Sequence, residues 1–141
     1  MTWMTMMSER LPLAGLRHLA LMVSNWDTCV DFYTRILGMA IEWQPDPDNI
    51  YLSSGCDNLA LHRLPPHATV APTQRLDHLG FIISSRELVD KWHTFLQSEN
   101  VKIKAAPRQH HDGTYSFYCF DPDENTVQLI YHPLLVDKRG E

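Results

Sequence analysis

Leu16-Arg17-His18-Leu19-Ala20-Leu21-Met22-Val23 is a short apolar run with one histidine near its start, and Leu76-Asp77-His78-Leu79-Gly80-Phe81-Ile82-Ile83 is its echo. Polar or turn residues precede each run, and a serine-containing step follows each. An internal repeat settles architecture before any local reading does, because a repeated supersecondary unit cannot bury its apolar face alone.

The residues downstream extend the match. Behind the first run, Ser24-Asn25-Trp26-Asp27 leads into Cys29, Val30, Phe32, Tyr33, Ile36 and Leu37 at helical spacing, closed by Gly38. Behind the second, Ser84-Ser85-Arg86-Glu87 leads into Leu88, Val89, Trp92, Phe95 and Leu96, and Ser84 with Glu87 fits a capping box. Each half ends on a matching extended piece, Leu59-Ala60-Leu61-His62-Arg63-Leu64-Pro65 and Val127-Gln128-Leu129-Ile130-Tyr131-His132-Pro133. The pattern predicts strand–helix–strand–strand–strand, twice. The elements are strand 16–23, helix 26–37 and strands 39–43, 50–53 and 58–63, then strand 76–83, helix 86–98 and strands 101–104, 114–120 and 126–131. Turns are expected at 44–49, 107–113 and 121–125. The class is α+β, two tandem βαβββ modules. Module one spans 14–65 and module two 76–134, within a single domain 14–134. The proline-bearing stretch 66–75 is a stiff linker, and 1–13 and 135–141 are tails.

With 141 residues, the two modules must share one core. The net charge is −5 with both signs interspersed, which excludes nucleic acid and anionic membrane as main partners. No apolar run reaches the length of a membrane span. Cys29, Cys56 and Cys119 have no paired spacing and read as reduced, mostly buried thiols of a cytoplasmic protein. The methionine-rich stretch 1–10 lacks a basic leader and does not read as a secretory signal.

His18 and His78 occupy equivalent places in the repeat. Pseudo-two-fold packing of the modules brings them face to face, and two imidazoles with one oxygen ligand form a facial set that leaves open positions on a divalent metal. The alternative is two isolated histidines, each bonded to a backbone carbonyl. The last strand supplies Gln128 as the oxygen ligand, an amide that brings no charge. Its repeat partner Ala60 supplies nothing. His62 shares a sheet face with Ala60 and reads as a cavity-lining group or a substitute ligand. Trp43, Tyr51, Tyr115, Phe117 and Tyr118 are candidates to stack on a ligand or to fill the core.

Several segments carry a resemblance: His18-Leu-Ala-Leu-Met-Val23, Asp31-Phe-Tyr-Thr-Arg-Ile-Leu-Gly-Met39, Asp77-His-Leu-Gly-Phe81 and Asp121-Pro-Asp-Glu-Asn-Thr-Val-Gln-Leu129. Together they resemble the vicinal oxygen chelate superfamily of glyoxalases, bleomycin resistance proteins and extradiol dioxygenases. The resemblance implies mixed sheets curled around a central cavity, and one divalent metal ion (Fe, Mn, Ni or Zn) or none. It implies metal ligands at His18, His78 and Gln128, with Ala60 at a fourth position, and a homodimer. The usual residue at the last ligand position is glutamate, and Gln128 departs from it. His111, Phe117-Tyr118 and Asp121-Pro122 resemble the extradiol dioxygenase signature, which implies catalytic roles for His111 and Tyr118. Glu124 departs from the glycine or proline usual there.

Two functions of different class follow. One is a metal-dependent enzyme, lyase or dioxygenase, acting on a small vicinal-oxygen or aromatic substrate. Tyr118 and His111 are its catalytic residues, and His62, Arg17, Tyr115 and Trp43 bind the substrate. The other is a metal-free module that binds or sequesters a small molecule, as bleomycin resistance proteins do. Glyoxalase I chemistry is disfavoured, because it needs a carboxylate base beside the metal and both Ala60 and Gln128 lack one. Fosfomycin-type opening needs a cationic pocket, for which Arg17, Arg63 and Arg108 are the available cations.

Overall fold

The structure, a computed structural model, describes residues 11–13, 15–68 and 76–137. Its elements are β1 (His18–Val23), α1 (Trp26–Asp31) running on into a π-helical turn (Phe32–Ile36), β2 (Ala40–Asp46), β3 (Asn49–Ser53), β4 (Asn58–Arg63), β5 (Leu79–Ile82), α2 (Arg86–Ser98), β6 (Ile103–Gln109), β7 (Tyr115–Phe120) and β8 (Thr126–Tyr131). They form two four-stranded sheets of matching order, β1-β4-β3-β2 and β5-β8-β7-β6. In each, the first pair is parallel and the other two are antiparallel. The doubled βαβββ pattern is therefore present element for element. The tail 1–10 and most of the linker lie outside the described residues. No described helix is long and apolar enough to cross a membrane.

Strand alternation sorts the two faces of each sheet. On β1, Leu21 and Val23 are buried, while His18, Ala20 and Met22 point to an open face. On β5, Leu79 and Phe81 pack on the core, while Gly80 and Ile82 are exposed. The helices cover the other faces, where Phe32, Tyr33, Leu61, Leu96, Phe117 and Leu129 are almost fully buried.

Several expected boundaries move, and β1 and β5 begin two and three residues later than expected, at His18 and Leu79. β2 continues through Pro45 to Asp46, and β6 through Pro107 to Gln109, where the prolines had suggested turns. Both are outer strands, and an edge strand tolerates a residue with no N–H to donate. Both also slip register against their partners. The first helix is not regular throughout. The Leu37 N–H bonds the Phe32 carbonyl at 2.9 Å, a five-residue step. Gly38, at φ 85°, then closes it, with Gly38 N–H on the Thr34 carbonyl and Met39 N–H on the Tyr33 carbonyl. The cap of α2 is Ser85, whose Oγ accepts from the Leu88 N–H at 3.2 Å, so the expected capping box from Ser84 does not form. Ser84 sits one residue too early.

The turn 121–125 of module two ties the modules together. Asp123 accepts from both the backbone and the side chain of Ser24 and of Asn25, at 2.8–3.0 Å, just ahead of α1. Asp121 is buried and accepts from the Tyr33 hydroxyl at 2.7 Å, from the Asn125 N–H and amide at 2.9 Å, and from the Asp123 N–H at 2.8 Å. Burial, and then the neighbouring Asp121 carboxylate, push the Tyr33 phenol well above its ordinary range, which keeps it a donor. Burial likewise pushes the thiols of Cys29 and Cys119 up to about 12, with Asp121 adding to it. Those two cysteines are buried and inert, and Cys56 is exposed.

Glu124 sits in this turn at φ 67°. A side chain in that region costs about 1 kcal/mol. Glu124→Gly is expected to raise the unfolding free energy by about 0.5 kcal/mol, after the greater entropy of the unfolded glycine is set against it. Urea denaturation of the two proteins checks this, and an unchanged or lower midpoint would reject it.

Candidate metal centre and ligand face

On module two, the open face carries a row of polar side chains. Gln128 is buried in the floor, paired with Gly80 on one side and Tyr118 on the other. Its Nε2 donates to the Tyr118 hydroxyl and to Ser116 Oγ, both at 3.0 Å. That leaves Oε1 without a partner among the described residues, and it lies 3.5 Å from where a side chain on Gly80 would begin. The ring of His78 stands edge-on to Tyr118, with centroids 5.4 Å apart. His78 Nδ1 lies 2.7 Å from Asp77 Oδ2, so Nε2 is its unpaired ring atom among the described residues. Contact with His78 holds the Asp77 carboxyl below the usual carboxylate range.

Module one presents the counterpart. His18 Nδ1 lies 2.7 Å from Asn58 Oδ1, and Asn58 Nδ2 donates to Glu42 Oε1 at 2.7 Å. Farther along the same face, His62 Nδ1 lies 2.6 Å from Asn49 Oδ1, and Asn49 Nδ2 donates to both oxygens of Asp46. These amide bonds, with help from the Asp48 N–H, hold the Asp46 carboxyl below its usual range. Between the two histidines, Ala20 and Ala60 leave the floor shallow, and Trp43 lies stacked on Tyr51 with centroids 5.1 Å apart at 25°. Tyr51 in turn meets the His62 ring edge-on. Trp43 is 59% exposed, so one face of its indole is free for a flat ligand.

Among the residues singled out from sequence, His18, His62 and Trp43 share the face of module one, and His78, Gln128 and Tyr118 share that of module two. Arg17 lines a cleft of about 440 Å³ beside His18. Tyr115 points to the opposite side of its sheet and donates to Asp90 on α2 at 2.6 Å, so it is not on the ligand face. Phe117 is core. His111 sits exposed in the turn before β7, whereas His110, whose Nε2 is 3.3 Å from Ser116 Oγ, joins the Gln128 network. Among the described residues, no three His, Cys, Asp or Glu side chains converge as a metal cluster.

Sequence reasoning passed over Asn58, Glu42, Asn49 and Asp46. Asn49 read as the end of the turn 44–49, and Asn58 as the first residue of a strand. The usable signal was alternation, which sets Asn58, Ala60 and His62 on one face of one strand.

Imidazole nitrogen and amide oxygen are donor types that a divalent metal takes, and His18 stands on the face of one module while His78 and Gln128 stand on that of the other. Two imidazoles each offer Nε2, a buried amide offers Oε1, and all three atoms lack partners among the described residues. A model of the family described as Glyoxalase/Bleomycin resistance protein/Dioxygenase superfamily matches residues 15–129.

The chain belongs to this superfamily. Its fold is shared with solved members. A lactoylglutathione lyase from Agrobacterium tumefaciens superposes with a TM-score of 0.71 at 18% identity, covering 88% of this chain and 98% of that one. A glyoxalase/bleomycin resistance protein/dioxygenase from Alicyclobacillus acidocaldarius superposes at 0.65 with 20% identity, over 87% and 96%. One from Nocardioides reaches 0.70 with 16% identity, over 92% and 90%. At such identities the likeness is one of fold, and superfamily membership alone does not choose an activity. No curated protein matches the chain.

Proposed function

We propose that this superfamily member is a divalent-metal-dependent enzyme acting on a small vicinal-oxygen or aromatic substrate, with His18, His78 and Gln128 as metal ligands. The observation that carries this is that each of the three donor atoms is left bare on the open face of its own module, His18 on one and His78 with Gln128 on the other, while hydrogen bonds hold each side chain in place. A metal bound there acts as a Lewis acid on two neighbouring substrate oxygens. Tyr118, whose hydroxyl accepts from the ligand amide, is the group placed to hold a proton beside them. Trp43 stacks on the substrate, and His62 flanks it. Glyoxalase I chemistry is not supported, since a glutamine takes no proton near neutral pH.

The site closes between two chains in this reading. All described contacts of His18 are within module one and those of His78 within module two. Met22, Ile41, Trp43 and Ile82 stay about half exposed in one chain. A second copy covers both faces and brings the two half-sets together as a homodimer.

Elemental analysis after loading with Fe, Mn, Ni or Zn and removal of loose ions tests the proposal. One metal per site is expected, and none in the His18→Ala/His78→Ala variant. Light scattering on the same samples is expected to give a dimer. Equal metal in both proteins, or none in either, rejects the metalloenzyme. The exposed Trp43 stack favours one second reading, a metal-free module that holds an aromatic molecule. Tryptophan quenching by such ligands without metal, lost in Trp43→Ala, would support it.

A further inference from the structure

We infer that module one contains two carboxylate–asparagine–histidine relays, Glu42–Asn58–His18 and Asp46–Asn49–His62, whose asparagines are positioning residues that fix the proton of each imidazole on Nδ1 and present a bare Nε2 to the open face. An ionised carboxylate only accepts hydrogen bonds. The amide nitrogens of Asn58 and Asn49 must therefore face Glu42 and Asp46, at 2.7 Å and at 2.9–3.0 Å. The amide oxygens then face the rings, and an oxygen with no hydrogen needs a donor. At 2.7 and 2.6 Å, that donor is Nδ1–H. In the neutral ring the proton cannot also be on Nε2.

The two relays are built alike from different strands. β4 carries Asn58 and His62, whereas β3 carries Asn49, β1 carries His18, and β2 carries both carboxylates. Module two does not repeat them. Its own histidine rests directly on Asp77, and Thr126, opposite that position on β8, accepts from Lys104 instead. The relays are thus a feature of one face, set on either side of the Trp43–Tyr51 stack. The consequence is chemical selection. While the ring is neutral, a group lying against either Nε2 must bring an empty orbital or a hydrogen, so a metal ion, hydroxyl or N–H fits, and a carboxylate or phosphonate oxygen fits only once the ring takes up a second proton.

The assignment of Nε2 as a metal donor at His18 rests on the proposed metalloenzyme, but the tautomer does not. Long-range ¹H–¹⁵N spectra of the metal-free protein, near pH 8.5 where imidazoles as a class are neutral, read it directly. Protonated Nδ1 and bare Nε2 are expected at both His18 and His62, each resonance being assigned by its loss in His18→Gln or His62→Gln. Asn58→Leu is expected to move His18 alone toward the Nε2–H form, and Asn49→Leu to move His62 alone. Glu42→Ala and Asp46→Ala, which remove the acceptor that orients each asparagine amide and are expected to loosen the Nδ1–H preference, serve where the leucine variants do not fold. Asn58→Leu is also expected to weaken Mn²⁺ binding by about tenfold or more. Protonated Nε2 in the parent protein, or tautomers indifferent to all four variants, would overturn the relays. Correct tautomers in a protein that binds no metal would leave the relays standing and remove the metalloenzyme.

Discussion

Asp121→Ala is expected to lower the unfolding free energy by about 3 kcal/mol, roughly 10 °C in midpoint for a chain of this size. The carboxylate is 3% exposed and satisfies the Tyr33 hydroxyl, the Asn125 N–H and amide, and the Asp123 N–H. Alanine leaves these donors facing a space too poorly hydrated to replace the acceptor. Buried donors left alone cost far more than the mean value of a hydrogen bond suggests. The loss also reaches across the molecule, because Tyr33 belongs to module one and Asp121 to module two. A double-mutant cycle isolates that link. Tyr33→Phe alone is expected to cost about 1 kcal/mol, and much less in the Asp121→Ala background, since its only described partner is then gone. Urea unfolding of the four proteins decides it. A loss below about 1 kcal/mol for Asp121→Ala would mean that the turn does not join the modules energetically.

Gln128→Glu is expected to tighten divalent metal binding by roughly tenfold or more while lowering the thermal midpoint of the metal-free protein. Both effects have one cause. The variant places a negative charge at a position only 8% exposed. Its two polar neighbours accommodate the change, because the Tyr118 and Ser116 hydroxyls, which accept from the amide now, can turn to donate to a carboxylate. Without metal, burial of that charge costs stability. With metal, Coulomb attraction offsets the cost and adds affinity. Calorimetric titration with Mn²⁺ and paired melting curves give the two readings. Unchanged affinity, with a lowered midpoint whether or not metal is present, would place Gln128 outside any metal site.

The two effects show different parts of the chain at work. The Asp-Pro-Asp turn was legible as a turn, but its role as the joint between modules was not. Asp121 and Asp123 find Tyr33, Ser24 and Asn25 only when module two has folded against module one, and no spacing along the chain encodes that distance. The ligand candidates divide in the same way. His18 and His78 were visible because a repeat displays equivalent positions, and Gln128 because the family resemblance marks its place on the last strand. Tyr115 was misplaced by its resemblance to its neighbours, since alternation turns it toward α2 while Tyr118 faces the ligand side. His110 and His111 are adjacent in sequence, and only the path of the chain out of β6 decides which one meets Ser116.

Read alone, the sequence determined the doubled βαβββ order, the apolar faces and the pair of equivalent histidines. Those follow from hydrophobic periodicity and internal repetition, which are local and survive in one dimension. The tertiary structure alone decided which asparagine backs which imidazole, which atom of Gln128 is left bare, and that the prolines of β2 and β6 sit harmlessly on sheet edges. Those are properties of neighbouring strands, and strand neighbours are chosen by burial of the shared core rather than by proximity along the chain.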